Sequence, residues 1–152
     1  MPLLNGIHHV TSVTSDLDRL IRFYQRIFDA PVLLDLEEEG LRHAFIQVGS
    51  GTVLHPFQVP GVDLPQGSPP MFARGRLDHV ALHASSEHAF RELRRRLIEA
   101  GATDGIVTDM GSLLIFTFSD PDGAQWEVVC PKPDVPAGQT LRRSEWTTAV
   151  SD

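Results

Sequence analysis

The chain has 152 residues, 41% of them apolar and 22% charged, a balance that allows one ordinary buried core and excludes a disordered polymer. Thirteen basic residues against twenty acidic ones leave a net charge of −7. With no basic stripe in the sequence, nucleic acid and an anionic membrane surface are excluded as expected partners. The single cysteine, Cys130, cannot close an internal disulfide, so a reducing, cytoplasmic setting is expected. The N-terminal MPLLNGIHHV lacks a basic segment followed by a long apolar run, and no stretch is long enough to span a membrane.

Residues 7–13 (IHHVTSV) alternate as a strand, with Ile7, His9, Thr11 and Val13 on one side and His8, Val10 and Ser12 on the other. A helix follows over 15–30: Leu17, Leu20, Ile21, Tyr24, Ile27 and Phe28 recur at three- and four-residue steps. Ser15 or Asp16 caps its start, and Pro31 stops it. Two strand-like stretches then end at TVLHPFQV (52–59), where His55 shares a face with Val53 and Phe57. His43, Phe45 and Gln47 share a face of the strand before it. Residues 61–75 are rich in proline and glycine and read as a linker.

The same order then begins again. A strand at 77–84 (LDHVALHA) places Leu77, His79, Ala81 and His83 together, opposite Val80 and Leu82. A helix over 85–101 carries Phe90, Leu93, Leu97 and Ala100, with Ser85 or Ser86 as cap and Gly101 at its end. Arg94, Arg95 and Arg96 on it read as a solvated face among acidic neighbours rather than an anion site. Strands follow to AQWEVVC (124–130), with Glu127 beside Gln125 and Val129 and opposite Cys130, which reads as packing. His9 and His79 are 70 residues apart, as are Ser15 and Ser85, and His55 and Glu127 are 72 apart. The chain is therefore a tandem duplication of a βαβββ module, 5–60 and 76–131. An arm follows over 132–152, expected to dock on its own domain or on a partner.

Four matched positions on the faces turned away from the helices hold His9, His55, His79 and Glu127. His, Asp and Glu make up 27 of 152 residues, so four specified positions would all be filled by such types about once in a thousand trials. Imidazoles with one carboxylate suit a divalent transition ion, Zn, Fe, Ni, Co or Mn.

The stretches HHV (8–10) with SDLDRLIRFYQRIF, DHVAL (78–82) and DPDGAQWEVV (120–129) resemble the vicinal oxygen chelate superfamily, which includes glyoxalase I, extradiol dioxygenases and bleomycin-resistance proteins. The resemblance covers about residues 5–131 and implies an α+β fold with one domain over 1–131. In that fold the two βαβββ modules form a half-open eight-stranded barrel with helices outside. It carries a metal-ligand role onto His9, His79 and Glu127, with His55 at the fourth position. It also implies a small-molecule substrate held through two adjacent oxygens, and a homodimer.

If His55 binds the ion, proton-transfer chemistry is expected, that of a lyase or isomerase. If it does not, His9, His79 and Glu127 make the two-histidine, one-carboxylate set of an Fe(II) dioxygenase. A metal-free binding protein of the drug-resistance type is the third reading. Glyoxalase I and its relatives usually place Glu where this chain has His55. The ring-cleaving enzymes use a histidine and a tyrosine where this chain has Gly51 and Thr117, which weighs against ring cleavage. His43 and His55 are the acid–base candidates, His43 being alternatively a strand residue near the rim. Phe45, Phe57, Met71 and Phe72 are the expected apolar wall for an apolar or aromatic substrate, with His83 as a further contact.

Overall fold

The structure, a computed structural model, describes residues 3, 6–64, 77–136 and 142–149. It divides into two compact units, Met1–Gln66 and Gly67–Asp152. Met71 and Phe72 lie outside the described residues.

The first unit runs β1 (His9–Thr14), α1 (Leu17–Phe28), β2 (Val32–Glu38), β3 (Leu41–Gln47) and β4 (Val53–Gln58). Asp16 is the cap of α1, its carboxylate accepting from the Arg19 amide at 2.9 Å. The helix ends at Phe28, where Asp29 takes a left-handed conformation with φ 52°, and Pro31 follows too late to be the stop. Leu17, Leu20, Ile21, Tyr24 and Ile27 are buried against Ala44, Ile46 and Leu54, the inward residues of β3 and β4. The sheet order is β1-β4-β3-β2, with β1 parallel to β4. The Gln58 side chain accepts from the Leu17 amide at 2.8 Å, fastening the helix start to the end of β4.

The second unit repeats this plan with β5 (Val80–His83), α2 (Glu87–Glu99), β6 (Val107–Asp109), β7 (Leu113–Ser119) and β8 (Gln125–Pro131). Ser86 caps α2, and Gly101, at φ 67°, turns the chain after it. Phe90 and Leu97 are buried, and the Phe90 ring meets Phe116 edge-on at 4.9 Å. Arg95 pairs with Glu92 and Glu99, and Arg96 with Glu92, the solvated ion-pair face its sequence indicates.

The registers repeat as well as the order. Thr11 lies opposite His55, and Ala81 lies opposite Glu127, so the pairing itself is duplicated. The difference lies in the tail. A 3₁₀ turn (Arg143–Glu145) leads into β9 (Thr147–Ala149), which adds antiparallel to β6 and gives the sheet order β5-β8-β7-β6-β9. A ninth strand, carried by the arm, is thus added to the eight expected from the modules. No helix is long and apolar enough to cross a membrane among the described residues.

Candidate metal and substrate site

In each unit the odd-numbered residues of the central strands face away from the helix. In the first unit this face carries His9, His43, Phe45, His55 and Phe57, and in the second Ile115, Thr117, Gln125 and Glu127.

In the second unit His79 Nε2 stands 3.6 Å from Glu127 Oε2. His79 Nδ1 donates to Asp78 Oδ2 at 2.8 Å, which fixes the ring and leaves Nε2 as its open donor. Burial pushes the Glu127 carboxyl above its usual range; the His79 ring opposes this and Asp78 adds to it. A desolvated carboxylate beside an oriented imidazole nitrogen is an arrangement that a divalent cation stabilises.

What aims Glu127 is the turn before it. Asp120 is buried; its Oδ1 accepts from the amides of Asp122 at 2.9 Å and Ala124 at 3.0 Å, and its Oδ2 from Trp126 Nε1 at 3.0 Å. Gly123, at φ 80°, supplies the left-handed step. The DPDG motif therefore sets the start of β8, and alternation puts Trp126 on the helix side and Glu127 on the other.

The first unit gathers histidines. His55 is half-buried between Phe45 and Phe57, whose ring centroids lie 4.4 and 4.3 Å away. His55 Nε2 and His43 Nδ1 share a hydrogen bond of 3.0 Å, and His43 Nε2 stands 3.8 Å from Glu38 Oε2. Burial lowers the His55 pKa, and His43 and His9 lower it further, which keeps its ring neutral near pH 7. The His9 ring meets that of His55 edge-on at 5.6 Å. His8 has no role in the sequence reading, yet its Nδ1 shares a 2.9 Å hydrogen bond with His9 Nδ1. In both units, then, the residue before the strand histidine occupies Nδ1 and leaves Nε2 open. Among the described residues, no group of three or more His, Cys, Asp or Glu side chains stands ready to hold a metal ion.

Beside His79 and Glu127 lies a cavity of about 390 Å³. Ile106, Met110, Ile115 and Trp146 make its apolar wall, and Asp104, Thr108 and Thr117 add polar atoms. Phe45 and Phe57, expected as a wall, pack around His55 and are not among the residues lining this cavity, and His83 is exposed at the end of β5. The sequence reading missed Ile106, Met110, Ile115 and Trp146. A signal existed for Ile115: the 72-residue step that carries His55 onto Glu127 also carries His43 onto Ile115.

Gln125 shares the face of Glu127, and its Oε1 is buried without a hydrogen-bond partner among the described residues. Replacing an unsatisfied acceptor by an apolar side chain of similar length removes a desolvation cost of about 1 kcal/mol. Gln125→Met is therefore expected to raise the thermal midpoint of the metal-free protein by a few degrees. A calorimetric scan checks this, and a lowered midpoint would mean that the amide is satisfied.

The family model described as Glyoxalase/Bleomycin resistance protein/Dioxygenase superfamily matches residues 6–128. The metallothiol transferase FosB of Shouchella clausii (strain KSM-K16) is 30% identical over 133 residues, 83% of this chain and 80% of that protein. The crystal structure of a glyoxylase/bleomycin resistance protein/dioxygenase domain from Frankia sp. EAN1pec is similar with a TM-score of 0.70 and 26% identity, over 87% of this chain and 96% of that one. A mutant of the fosfomycin resistance protein FosX from Listeria monocytogenes, in complex with Mn(II) and 1S,2S-dihydroxypropylphosphonic acid, shares the fold. Its TM-score is 0.57 at 18% identity, over 83% of this chain and 92% of that one.

Proposed function

Because the chain belongs to the Glyoxalase/Bleomycin resistance protein/Dioxygenase superfamily, we propose that it is a divalent-metal-dependent enzyme acting on a small apolar substrate held through two adjacent oxygens, by the proton transfer of a lyase or isomerase. The observation that carries this reading is the His79–Glu127 pair, with Asp78 on the far ring nitrogen and an apolar cavity alongside. The proposed donor set is His79 and Glu127 together with His9 and His55, drawn from the same chain or from a second copy. Three neutral imidazoles and one carboxylate would leave a bound divalent ion a net charge near +1, and such an ion would supply Lewis-acid polarisation of the substrate oxygens.

The chain's own residues do the rest. His55, kept neutral by burial and by its histidine neighbours, is fit to accept a proton once its open ring nitrogen has left the ion, and the His43 ring at 3.0 Å is placed to pass it toward Glu38 at the surface. With Nε2 engaged by His43, only Nδ1 of His55 is open to an ion. If that nitrogen stays off the ion, His9, His79 and Glu127 stand as a two-histidine, one-carboxylate set, the arrangement of the second reading, an Fe(II) dioxygenase.

The phosphonic acid bound by FosX is not carried over as the substrate class. No Lys or Arg lines the described cavity, and Asp104 does, which disfavours a dianionic group. We read residues 1–131 as one domain of the superfamily with 132–152 appended, working in the cytoplasm as a homodimer. Ile7 and Val13, exposed on the strand face that carries His9, support the homodimer.

The test is elemental analysis of protein purified without chelator, repeated on His55→Ala. One zinc, nickel, manganese or cobalt per chain, lost in the variant, is the expected result. Stoichiometric iron retained in the variant would favour the dioxygenase. A chain that takes up no ion, even after incubation with Mn(II) or Zn(II), would leave a metal-free binding protein.

A further inference from the structure

The wall of the cavity beside His79 and Glu127 is supplied in part by a residue that belongs to neither duplicated module. Trp146 lines that cavity, although it sits in the C-terminal arm. It is half-buried, while Arg142, Ser144, Glu145 and Thr147 around it are exposed. The arm is held by backbone pairing: Asp109 lies opposite Thr147, Thr108 opposite Thr148 and Val107 opposite Ala149. Its anchoring strand, β6, lies between two other contributors to the wall, Ile106 and Met110. Strand addition at β6 therefore brings Trp146 to the wall of a cavity that a carboxylate and an imidazole also line.

Resting on the metal-dependent reading above, we propose that Trp146 is a specificity-determining residue. Delivered by β9, it selects substrates that carry a flat aromatic group next to their pair of chelating oxygens. The chemistry of the wall supports a neutral ring. The indole offers a π face to stack on, Ile106, Met110 and Ile115 offer dispersion contact, and Asp104, with no described cation in the lining, repels an anionic tail. Trp126, the other tryptophan, is buried and donates to Asp120, so it has no comparable access to a ligand.

The experiment uses the full chain, Mn(II), and two probes with the same adjacent oxygen pair, acetohydroxamic acid and benzohydroxamic acid, which differ only as methyl against phenyl. Isothermal titration measures Mn(II) binding first, then each hydroxamate on the Mn(II)-loaded protein. The wild type is expected to prefer the phenyl compound. Trp146→Ala is expected to cut that preference about tenfold, the scale of one aromatic contact, with Mn(II) and acetohydroxamate affinities unchanged. Trp146→Phe should keep most of the preference. Thr148→Pro, which removes a β9 amide at the edge of the sheet, should lose it as Trp146→Ala does. If Mn(II) binds but the preference is absent or survives both Trp146→Ala and Thr148→Pro, the inference is overturned while the metal-dependent reading stands. If Mn(II) does not bind, that reading fails, and the inference with it.

Discussion

Asp120→Ala is expected to destabilise the protein by about 3 kcal/mol and to lower its thermal midpoint by about 10 °C. The Asp120 carboxylate accepts from two turn amides and from the Trp126 indole, all within 3.0 Å. Burial pushes its pKa above the usual carboxylate range, even though the three donors pull the other way. The folded protein therefore takes up this proton before the unfolded chain does. Taken alone, the titration of this group favours the fold as pH falls and costs stability as pH rises through the folded value. Loss of the charge at neutral pH is consequently not what makes the substitution costly. The cost comes from the buried Trp126 indole N–H and the two part-buried turn amides left without their acceptor. Asp120→Asn, which keeps one carbonyl oxygen, should fall between wild type and alanine. Circular dichroism melts settle the matter, and an alanine variant melting within 2 °C of wild type (roughly half a kilocalorie by the same scaling) would remove Asp120 as the organiser of the turn. The functional corollary is positional: a loosened turn loosens the start of β8, and Glu127 lies on that strand two residues in.

His79→Ala is expected to lower divalent-metal affinity by more than about a hundredfold, and Asp78→Asn by about ten- to a hundredfold. His79 supplies a donor atom, Nε2, at 3.6 Å from the carboxylate with which it would share the ion. Asp78 supplies orientation, holding Nδ1 at 2.8 Å; an asparagine in its place keeps an acceptor but loses the charge that raises the basicity of the ring. The graded pair separates a ligand from its support, and titration of Zn(II) or Mn(II) by calorimetry reads both. Equal affinities in wild type and His79→Ala would refute the assigned donor role.

The duplicated architecture could be read from the sequence because it rests on local periodicity repeated at a constant offset. Apolar steps from Leu17 to Ile27 and alternation around His9, His55, His79 and Glu127 each report one face of one element, and the equal spacing of the halves multiplies the signal. The register Thr11–His55 and Ala81–Glu127 follows from the same alternation. The helix ends were less well specified. Ser15 and Asp16 are both able to cap, and only the backbone path chose Asp16; Asp29, not Pro31, ends α1 because an aspartate tolerates the left-handed turn.

The hydrogen bonds of His8 and Asp78 to their neighbouring rings were hidden for another reason. They depend on side-chain rotation between adjacent residues whose alternation would send them to opposite faces. Trp146 was out of reach altogether. Its place follows from a three-residue strand pairing with β6 some forty positions earlier, and no period in the arm announces such a pairing.

That pairing also separates two kinds of change the lineage can undergo. The histidines and Glu127 lie inside the repeated halves, where any alteration is constrained by a sheet and a helix at once. The tail lies outside them, and among the described residues its strand pairs with the short strand β6 alone. Descendants could lengthen, trim or rewrite it at little cost to folding, and so redirect the same reactive centre to new molecules without rebuilding it.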